Sequence, residues 1–267
     1  MSKTTVTKLA SFTGVAFGEK PVLTLPYGVK YEELILETDL SPQQVKKVIL
    51  TLNGDEIVNV TGEFLKKLEA YKQQKDTAGF FIIPLCDVSA KTINGVRYSG
   101  LATERGDNIT LEVEIADSSE QKTPKLKAYA SITSNDPARV VVPQIKQQIM
   151  QASGTENEFL ELTASPLLHV RRIHFMSEHI TGLDIYRDFV REYESTKQID
   201  TMRAARLDKT WQQGIYHFDP VVRGFMIDEL FPTAHASELK FTVKTSQPCG
   251  SIPLYVESVK VVRPELM

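Results

Sequence analysis

The histidines are the first residues of this sequence whose chemistry has to be explained. A metal site on adjoining β-strands requires an H-x-H pair and a downstream carboxylate, because alternate residues of a strand share a face. His169 and His174 are five residues apart, so in a strand they face opposite sides. We therefore expect ordinary polar histidines, and the sequence identifies no metal ligand. The histidines concerned are His169, His174, His179, His217 and His235.

Three carboxylates recur at a spacing of four residues, namely Asp184, Asp188 and Glu192. On a helix this spacing would place them on one face, where they could hold a cation. Arg187 and Arg191 lie beside them in the sequence. A solvent-exposed helix face carrying ion pairs is therefore the favoured interpretation.

Motifs for catalysis or cofactor binding are not recognisable in this chain. It contains no G-x-S-x-G elbow, no glycine-rich phosphate loop and no setting for a nucleophilic cysteine. Cys86 and Cys249 are too few for a disulfide framework, so we predict buried free thiols in a reducing compartment. We accordingly predict no catalytic residue, no cofactor site and no enzymatic activity.

Composition narrows the class of partner. The 267 residues are 42% hydrophobic and 24% charged with a net charge of −3, which is typical of a soluble globular protein. A general nucleic-acid binder is usually basic, so we expect no specific nucleic acid. No apolar run approaches the ~20 residues of a membrane span, and the N-terminal segment lacks the apolar core of a signal peptide. Four arginines either meet lipid headgroups or form ordinary surface pairs, and these are Arg171, Arg172, Arg203 and Arg206.

A repeat organises the elements that would position these residues. The amphipathic pattern at Glu63–Gln73 recurs at Asp188–Gln198, a shift of 125 residues, and both segments are predicted to be helices. The apolar residues predicted to face inward are Phe64, Leu65 and Leu68 in the first copy and Phe189, Val190 and Tyr193 in the second.

Strand patterns follow both copies in the same order. The segment at Phe80 is similar to the segment at Ile215, Ile109–Val113 is similar to Leu239–Val243, and Leu126–Tyr129 is similar to Leu254–Glu257. Four elements in one order indicate an internal duplication of a β-rich unit. Short apolar runs and the Asn53-Gly54 hairpin signal predict eight strands and one helix in the first copy, with one of the strands at Gly95–Leu101.

The fold predicted from this pattern is all-β: a double jelly roll of two tandem eight-stranded antiparallel β-sandwiches, each with an added helix. The polar segment 1–19 is expected to become ordered only against a neighbour or a membrane. A short bridge helix is predicted after Pro143, since Val141, Ile145 and Ile149 recur every four residues. The predicted domains are an N-terminal arm at 1–19, a first jelly roll at 20–135, a bridge at 136–155 and a second jelly roll at 156–267.

Three segments resemble a known family. They are Leu25–Glu32, Ser41–Val48 and Leu52–Gly54, with the pattern L-P-x-G-x-x-Y-E, then P-x-Q-[IV]-K-x-V, then L-[ND]-G. This pattern is similar to the opening of the major capsid protein of corticoviruses, tailless icosahedral phages of marine bacteria with a membrane beneath the shell. The matching part covers about thirty residues and is moderately specific.

The resemblance implies a structural role in a virion. It implies a homotrimer whose six jelly rolls form a pseudo-hexagonal capsomer, made in the host bacterial cytoplasm and assembled into an icosahedral shell. The implied partners are neighbouring capsomers, vertex and membrane proteins of the virion, and the internal membrane. The family is also associated with calcium ions at the capsid, for which no ligand can be named in this sequence.

Charge on two equivalent strands suggests how such a trimer would pair. The strand Ile109–Ile115 points Glu112 and Glu114 outward, whereas its counterpart points Lys240 and Lys244 outward. A cyclic trimer joins unlike surfaces, so we predict that this opposite charge selects head-to-tail pairing. Two solvated faces would explain the same pattern.

Two other functions are compatible with a duplicated β-sandwich. A carbohydrate-binding protein would usually show exposed aromatic platforms, whereas Trp211 is predicted to pack at a helix–strand corner. A glycan hydrolase would need a pair of placed carboxylates, and none is evident. The mass in solution discriminates these classes, because a stable trimer favours the capsid.

Overall fold

The computed structural model describes residues 3–75, 77–119, 122–136 and 138–266. In these ranges no helix is long and apolar enough to cross a membrane. The elements up to residue 134 are β1 Thr5–Lys8, β2 Val22–Thr24, β3 Val29–Thr38, β4 Val45–Leu52, β5 Asp55–Val60, α1 Gly62–Tyr71, β6 Phe80–Pro84, α2 Ile93–Tyr98, β7 Leu101–Ala102, β8 Ile109–Ile115 and β9 Leu126–Ser134. Those that follow are β10 Val141–Ala152, β11 Glu156–Phe159, β12 Leu168–Phe175, β13 Ile180–Arg187, β14 Val190–Thr196, α3 Lys197–Arg206, β15 Tyr216–Phe218, β16 Phe231–Pro232, β17 Leu239–Thr245 and β18 Gly250–Val261, with a 3₁₀ turn at Pro264–Leu266.

The first half is an eight-stranded jelly roll. One sheet has the order β1-β9-β3-β6, and the facing strands have the order β2-β8-β4-β5. The short strand β7 adds to β3. Alternate residues of β8 are buried from Ile109 to Ile115, as the period of two predicts, and Val48 of β4 pairs with Val113. The core therefore lies between these two sheets.

The second half repeats this topology strand for strand. Its sheets have the orders β10-β18-β12-β15 and β11-β17-β13-β14, with β16 added to β12. Each helix α1 or α3 follows the fifth strand of its jelly roll and precedes the sixth. The predicted double jelly roll, with one added helix in each half, is confirmed.

A continuous sheet joins the two jelly rolls. Strand β5 of the first and β10 of the second run parallel, and Val58 pairs with Ile145. Residues Val142, Ile145 and Tyr255 of the second half pack into the apolar core of the first. The two halves thus share both a sheet and a core boundary.

The second helix, predicted from Asp188 on through Leu207, begins nine residues later than expected, at Lys197, and ends at Arg206. Asp188 and Phe189 form a hairpin turn with positive φ, and β14 follows where a helix was expected. Phe189 is 76% exposed and Val190 is 66% exposed, so their predicted inward orientation is wrong. The helix equivalent to α1 is α3, because their N-caps Thr61 and Thr196 are 135 residues apart. The same interval separates Ile82 of β6 from its counterpart His217 of β15.

The first strand of each jelly roll was also missed. The arm is ordered on its own chain, because β1 pairs with β9 and both Leu9 and Phe12 are buried. The bridge is strand β10, paired along its whole length with β18, and not a helix. Pro143 is tolerated there because its other neighbour β5 pairs only at Ile145. The segment predicted as a strand at Gly95–Leu101 is mostly helix α2, capped by Thr92.

Candidate functional site between the two jelly rolls

Helix α1 is the element that positions the contact between the jelly rolls. Its N-terminus is capped by Thr61, whose hydroxyl accepts a hydrogen bond from the backbone N–H of Phe64 at 3.2 Å. Phe64, Leu65 and Leu68 are buried, which confirms their predicted orientation. The ring of Phe64 stacks on Tyr255 of the second jelly roll, with 3.8 Å between centroids. The helix therefore covers the outer face of the β18-β12-β15 sheet.

The C-terminal end of α1 reaches the same sheet with polar groups. The ring of Tyr71 stacks on that of His217 at 4.0 Å, and its hydroxyl donates to Asp219 at 3.0 Å. Burial raises the pKa of Tyr71 well above its usual value, and Asp219 raises it further. The phenol therefore stays protonated and can keep donating this hydrogen bond.

Glu257 is the centre of a buried ionic cluster beneath α1. It is fully buried, and its carboxylate lies 2.7 Å from Arg171, 2.8 Å from His174 Nε2 and 3.7 Å from Lys72. Burial alone would raise the pKa of Glu257, but Lys72, Arg171 and Arg172 hold it well below its usual range. The carboxylate is therefore ionised, and it ties the end of α1 to β12 and β18.

Arg172 connects the two jelly rolls directly. Its guanidinium lies 2.6 Å from Asp87 of the first jelly roll and 2.8 Å from Asp219 of the second. Burial opposes ionisation of Asp87, yet Arg172 above all keeps the pKa of Asp87 well below its usual value. The ion pairs of this cluster join three cations, Lys72, Arg171 and Arg172, to three carboxylates, Asp87, Asp219 and Glu257.

The two buried histidines belong to this cluster. The Nδ1 atoms of His174 and His217 are 2.7 Å apart, so one donates and the other accepts. Burial lowers the pKa of His174, and burial together with His174 lowers that of His217 well below its usual value. Both rings are neutral at pH 7, because burial lowers the pKa of each below an ordinary value that is already under 7.

This arrangement positions domains and does not present chemistry to a substrate. His174 is fully buried and His217 is 3% exposed, so neither ring reaches solvent. Among the residues that the structure describes, no three His, Cys, Asp or Glu side chains are gathered so as to hold a metal ion. The calcium implied by the resemblance stays a prediction, and we assign it no ligand.

Sequence reasoning placed two of these arginines on the surface, and that prediction is wrong. Arg171 and Arg172 are both completely buried. A β-bulge in β12 between Val170 and Arg172 turns consecutive side chains away from the apolar core, and α1 then covers them. The sequence R-R-I-H within a strand was the available sign of these buried polar residues. Only the order of the strands shows which residues lie opposite them.

The three carboxylates predicted to share a helix face, Asp184, Asp188 and Glu192, lie on the β13–β14 hairpin instead. Arg187 pairs with Glu192 at 2.8 Å and Arg191 with Glu194 at 3.0 Å, so the ion pairs exist without the helix. Asp188 accepts hydrogen bonds from backbone N–H groups of residues 236–238.

The four predicted interface charges lie on outward positions of β8 and β17. Glu114 lies 3.2 Å from Lys20, Lys240 lies 3.4 Å from Glu158, and Lys244 lies 2.6 Å from Asp184. Glu112 is half-buried on β8. The structure thus supplies partners within the chain for three of them, and their role between chains stays a prediction.

The remaining predictions concern single residues. Trp211 packs between α3 and β15 against Tyr216 and His217, at the helix–strand corner expected for it. Both cysteines are free thiols, and Cys86 is buried whereas Cys249 is half-buried.

Family models match nearly the whole chain. Residues 6–133 match the viral coat protein P2 N-terminal domain, and residues 142–262 match the viral coat protein P2 C-terminal domain. Among curated protein sequences, none matches the chain.

Solved capsid proteins share the fold. The major capsid protein P2 from bacteriophage PM2 is 18% identical, with 97% of this chain and 98% of that chain covered and a TM-score of 0.88. A chain of Sulfolobus turreted icosahedral virus is 10% identical over 97% and 91% of the two chains, with a TM-score of 0.68. The PBCV-1 virus capsid is 8% identical over 98% and 95%, with a TM-score of 0.63.

These matches decide between the functions that the sequence had left open. The comparisons give no support to a carbohydrate-binding or glycan-hydrolysing protein. The chain belongs to the viral coat protein P2 family and is a double jelly-roll major capsid protein of the virion.

Proposed function

We propose that three copies of this capsid protein form a homotrimer whose six jelly rolls make one pseudo-hexagonal capsomer. The observation that carries this proposal is the fixed pairing of two equivalent units in each chain through β5, β10 and α1. Three such pairs around a threefold axis give six similar corners, a shape that tiles a shell.

A cyclic trimer needs contacts between unlike surfaces, so the second jelly roll of one chain meets the first of the next. We propose that the acidic face at Glu112 and Glu114 and the basic face at Lys240 and Lys244 favour this order over like-with-like pairing. Because exposed pairs contribute only ~0–1 kcal/mol each, their effect lies in selectivity.

The role proposed for the capsomer is structural. Its partners are neighbouring capsomers and, by the likeness to corticoviruses, vertex proteins, membrane proteins and the internal membrane of the virion. The net charge of −3 agrees with a protein that does not bind nucleic acid directly. We infer no enzymatic activity, since the cluster of ionisable groups between the jelly rolls is closed to solvent.

The mass in solution tests the trimer. Sedimentation equilibrium of the purified protein should give three times the 30.0 kDa of one chain. A monomer at every accessible concentration would contradict the proposal.

A charge swap tests the pairing faces. Glu112→Lys with Glu114→Lys should reduce the trimer fraction at low salt, and adding Lys240→Glu with Lys244→Glu should restore it. An unchanged trimer fraction in the first variant would remove these charges from the pairing mechanism, without bearing on the trimer itself.

A further inference from the structure

The internal repeat leaves one helix without the cover that its counterpart has. Helix α1 extends from the first jelly roll over the outer face of the β18-β12-β15 sheet of the second. Helix α3 occupies the equivalent place after β14, but a single chain has no third jelly roll for it to cover. Its packing partners within the chain are β13 and β14.

The exposure of equivalent residues reflects this difference. With the shift of 135 residues set by Thr61 and Thr196, Ile199 of α3 corresponds to Phe64 of α1. Phe64 is 1% exposed because it lies against Tyr255, whereas Ile199 is 47% exposed. Met202, on the next turn of α3, is 44% exposed. An apolar pair of this kind on a helix indicates a surface that is covered in the assembled protein.

The receiving surface exists on the first jelly roll. The sheet equivalent to β18-β12-β15 is β9-β3-β6, and helix α1 of the same chain flanks it at β6. Ile35, Phe80 and Ile82 line an open cavity of about 330 Å³ on its outer face, together with Lys66 and Glu69 of α1, and Phe80 is 37% exposed. Ile35 pairs across the sheet with Tyr129, as His174 pairs with Tyr255 in the second jelly roll.

The edges of the sheets point to the same neighbour. Within one chain the jelly rolls join where β5, an edge of its four strands, meets β10, an edge of the next four. Among the strands that the structure describes, the equivalent strands β14 and β1 are both sheet edges that lack a partner strand on one side. Val190 and Val6 on these strands are each 66% exposed. Unpaired edges of this kind are sites for strand addition by another chain.

We propose that α3 and the β14 edge of one copy dock on the outer face of β9-β3-β6 and the β1 edge of the next copy. The contact between chains then repeats, with equivalent elements, the contact that α1, β5 and β10 make within the chain. The occupant is a second copy of this protein because the receiving surface matches the one that already binds a helix of this repeat. This inference rests on the proposed trimer and assigns its contact residues. It places the receiving surface on the sheet opposite Glu112 and Glu114, so it is an alternative to the direct pairing of those residues with Lys240 and Lys244.

The contact within the chain also supplies a distance constraint for the test. Phe64 lies on Tyr255. The counterpart of Phe64 is Ile199. The counterpart of Tyr255 is Tyr129, because the equivalent residues Ile82 and His217 pair with Ile35 and His174, which pair in turn with Tyr129 and Tyr255. Residues 199 and 129 should therefore meet between neighbouring copies, as residues 64 and 255 meet within one.

Thiol cross-linking tests this pair in the full chain. The double variant Ile199→Cys with Tyr129→Cys, made in a Cys249→Ser background, is treated with a short bis-maleimide. Denaturing electrophoresis should show covalent dimers and trimers. A matched variant, Ile227→Cys with Tyr129→Cys, should remain monomeric, since Ile227 is similarly exposed at 44% but lies on a loop outside the proposed contact.

A substitution completes the test. Ile199→Glu should weaken trimer formation at least tenfold in sedimentation, whereas Ile227→Glu should leave it unchanged. If the protein is a trimer that tolerates Ile199→Glu and gives no 199–129 cross-link, the docking is overturned and the trimer stands. A wild-type protein that stays monomeric would overturn both. Cross-links from residue 199 to a different virion protein only would assign α3 to another partner and refute the second copy.

Discussion

Neutralising Glu257 should uncouple the two jelly rolls by leaving a buried positive charge unmatched. The Glu257→Gln variant keeps the shape of the side chain, so it creates no cavity. It leaves Lys72, Arg171 and Arg172 facing only Asp87 and Asp219. All three cations are buried, with Arg171 and Arg172 completely so. Removing one partner from a buried ion-pair network typically costs about 3–5 kcal/mol, and we expect a loss of that size in the free energy of unfolding.

Urea unfolding followed by tryptophan fluorescence is a suitable assay. Trp211 is the single tryptophan, and its ring centroid lies 5.1 Å from that of His217 at the edge of the cluster. The control is Glu161→Gln, an exposed residue between β11 and β12, for which a change within about 0.5 kcal/mol is expected. If Glu257→Gln costs less than about 1 kcal/mol, the cluster does not depend on charge balance and the reasoning fails.

A second substitution separates charge from shape. Adding Lys72→Met to Glu257→Gln returns the cluster to two cations and two carboxylates, so the double variant should lose less stability than the two single losses added together. Strict additivity would mean that Lys72, 3.7 Å from Glu257, does not interact with it.

Two further predictions concern the same contact. Phe64→Ala should lower the free energy of unfolding by about 3–5 kcal/mol, because Phe64 is buried against Tyr255. Phe189→Ala should change it by under about 0.5 kcal/mol, because Phe189 is 76% exposed. Equal losses in urea unfolding would contradict the corrected helix assignment. Acidification should destabilise the protein. The folded-state pKa of His217 lies below its unfolded value, so the unfolded chain binds the proton first as the pH falls. The free energy of unfolding should therefore decrease below about pH 6.5, by at most about 1.4 kcal/mol per pH unit for each such histidine. His217→Gln should reduce this slope between pH 7 and 5, and an unchanged slope would contradict the assignment to His217.

Strands that bury one face against the core were predictable, because burial of one face produces an alternation of apolar and polar residues. β8 was located to the residue, since it buries every second side chain. The first strands were missed for different reasons. β1 is a short exposed edge with little apolar content, and β10 carries Val141, Ile145 and Ile149 at helical spacing although Ile149 is 55% exposed.

The register of the repeated helix could not be read from its own pattern. Amphipathic stripes fit one another at many offsets, and the offset of 125 placed a hairpin turn on a helix. The strand that follows carried better information, because its offset of 135 is also that of the N-caps Thr61 and Thr196. The ionic cluster was beyond sequence reasoning, since it depends on a bulge in β12 and on strands far apart in the chain.

The divergence of the two helices follows from when each contact forms. The contact of α1 forms during folding and is never exposed, so it can carry Phe64, Leu68 and Tyr71. The proposed contact of α3 forms only on assembly, and until then its face meets water. At the positions of Leu68 and Tyr71, α3 accordingly has Arg203 and Arg206, which keep a single chain soluble while Ile199 supplies the apolar contact. Two copies of one fold thus use the same surface for a permanent and for a conditional contact, and substitution of a few side chains on one helix is sufficient to separate them.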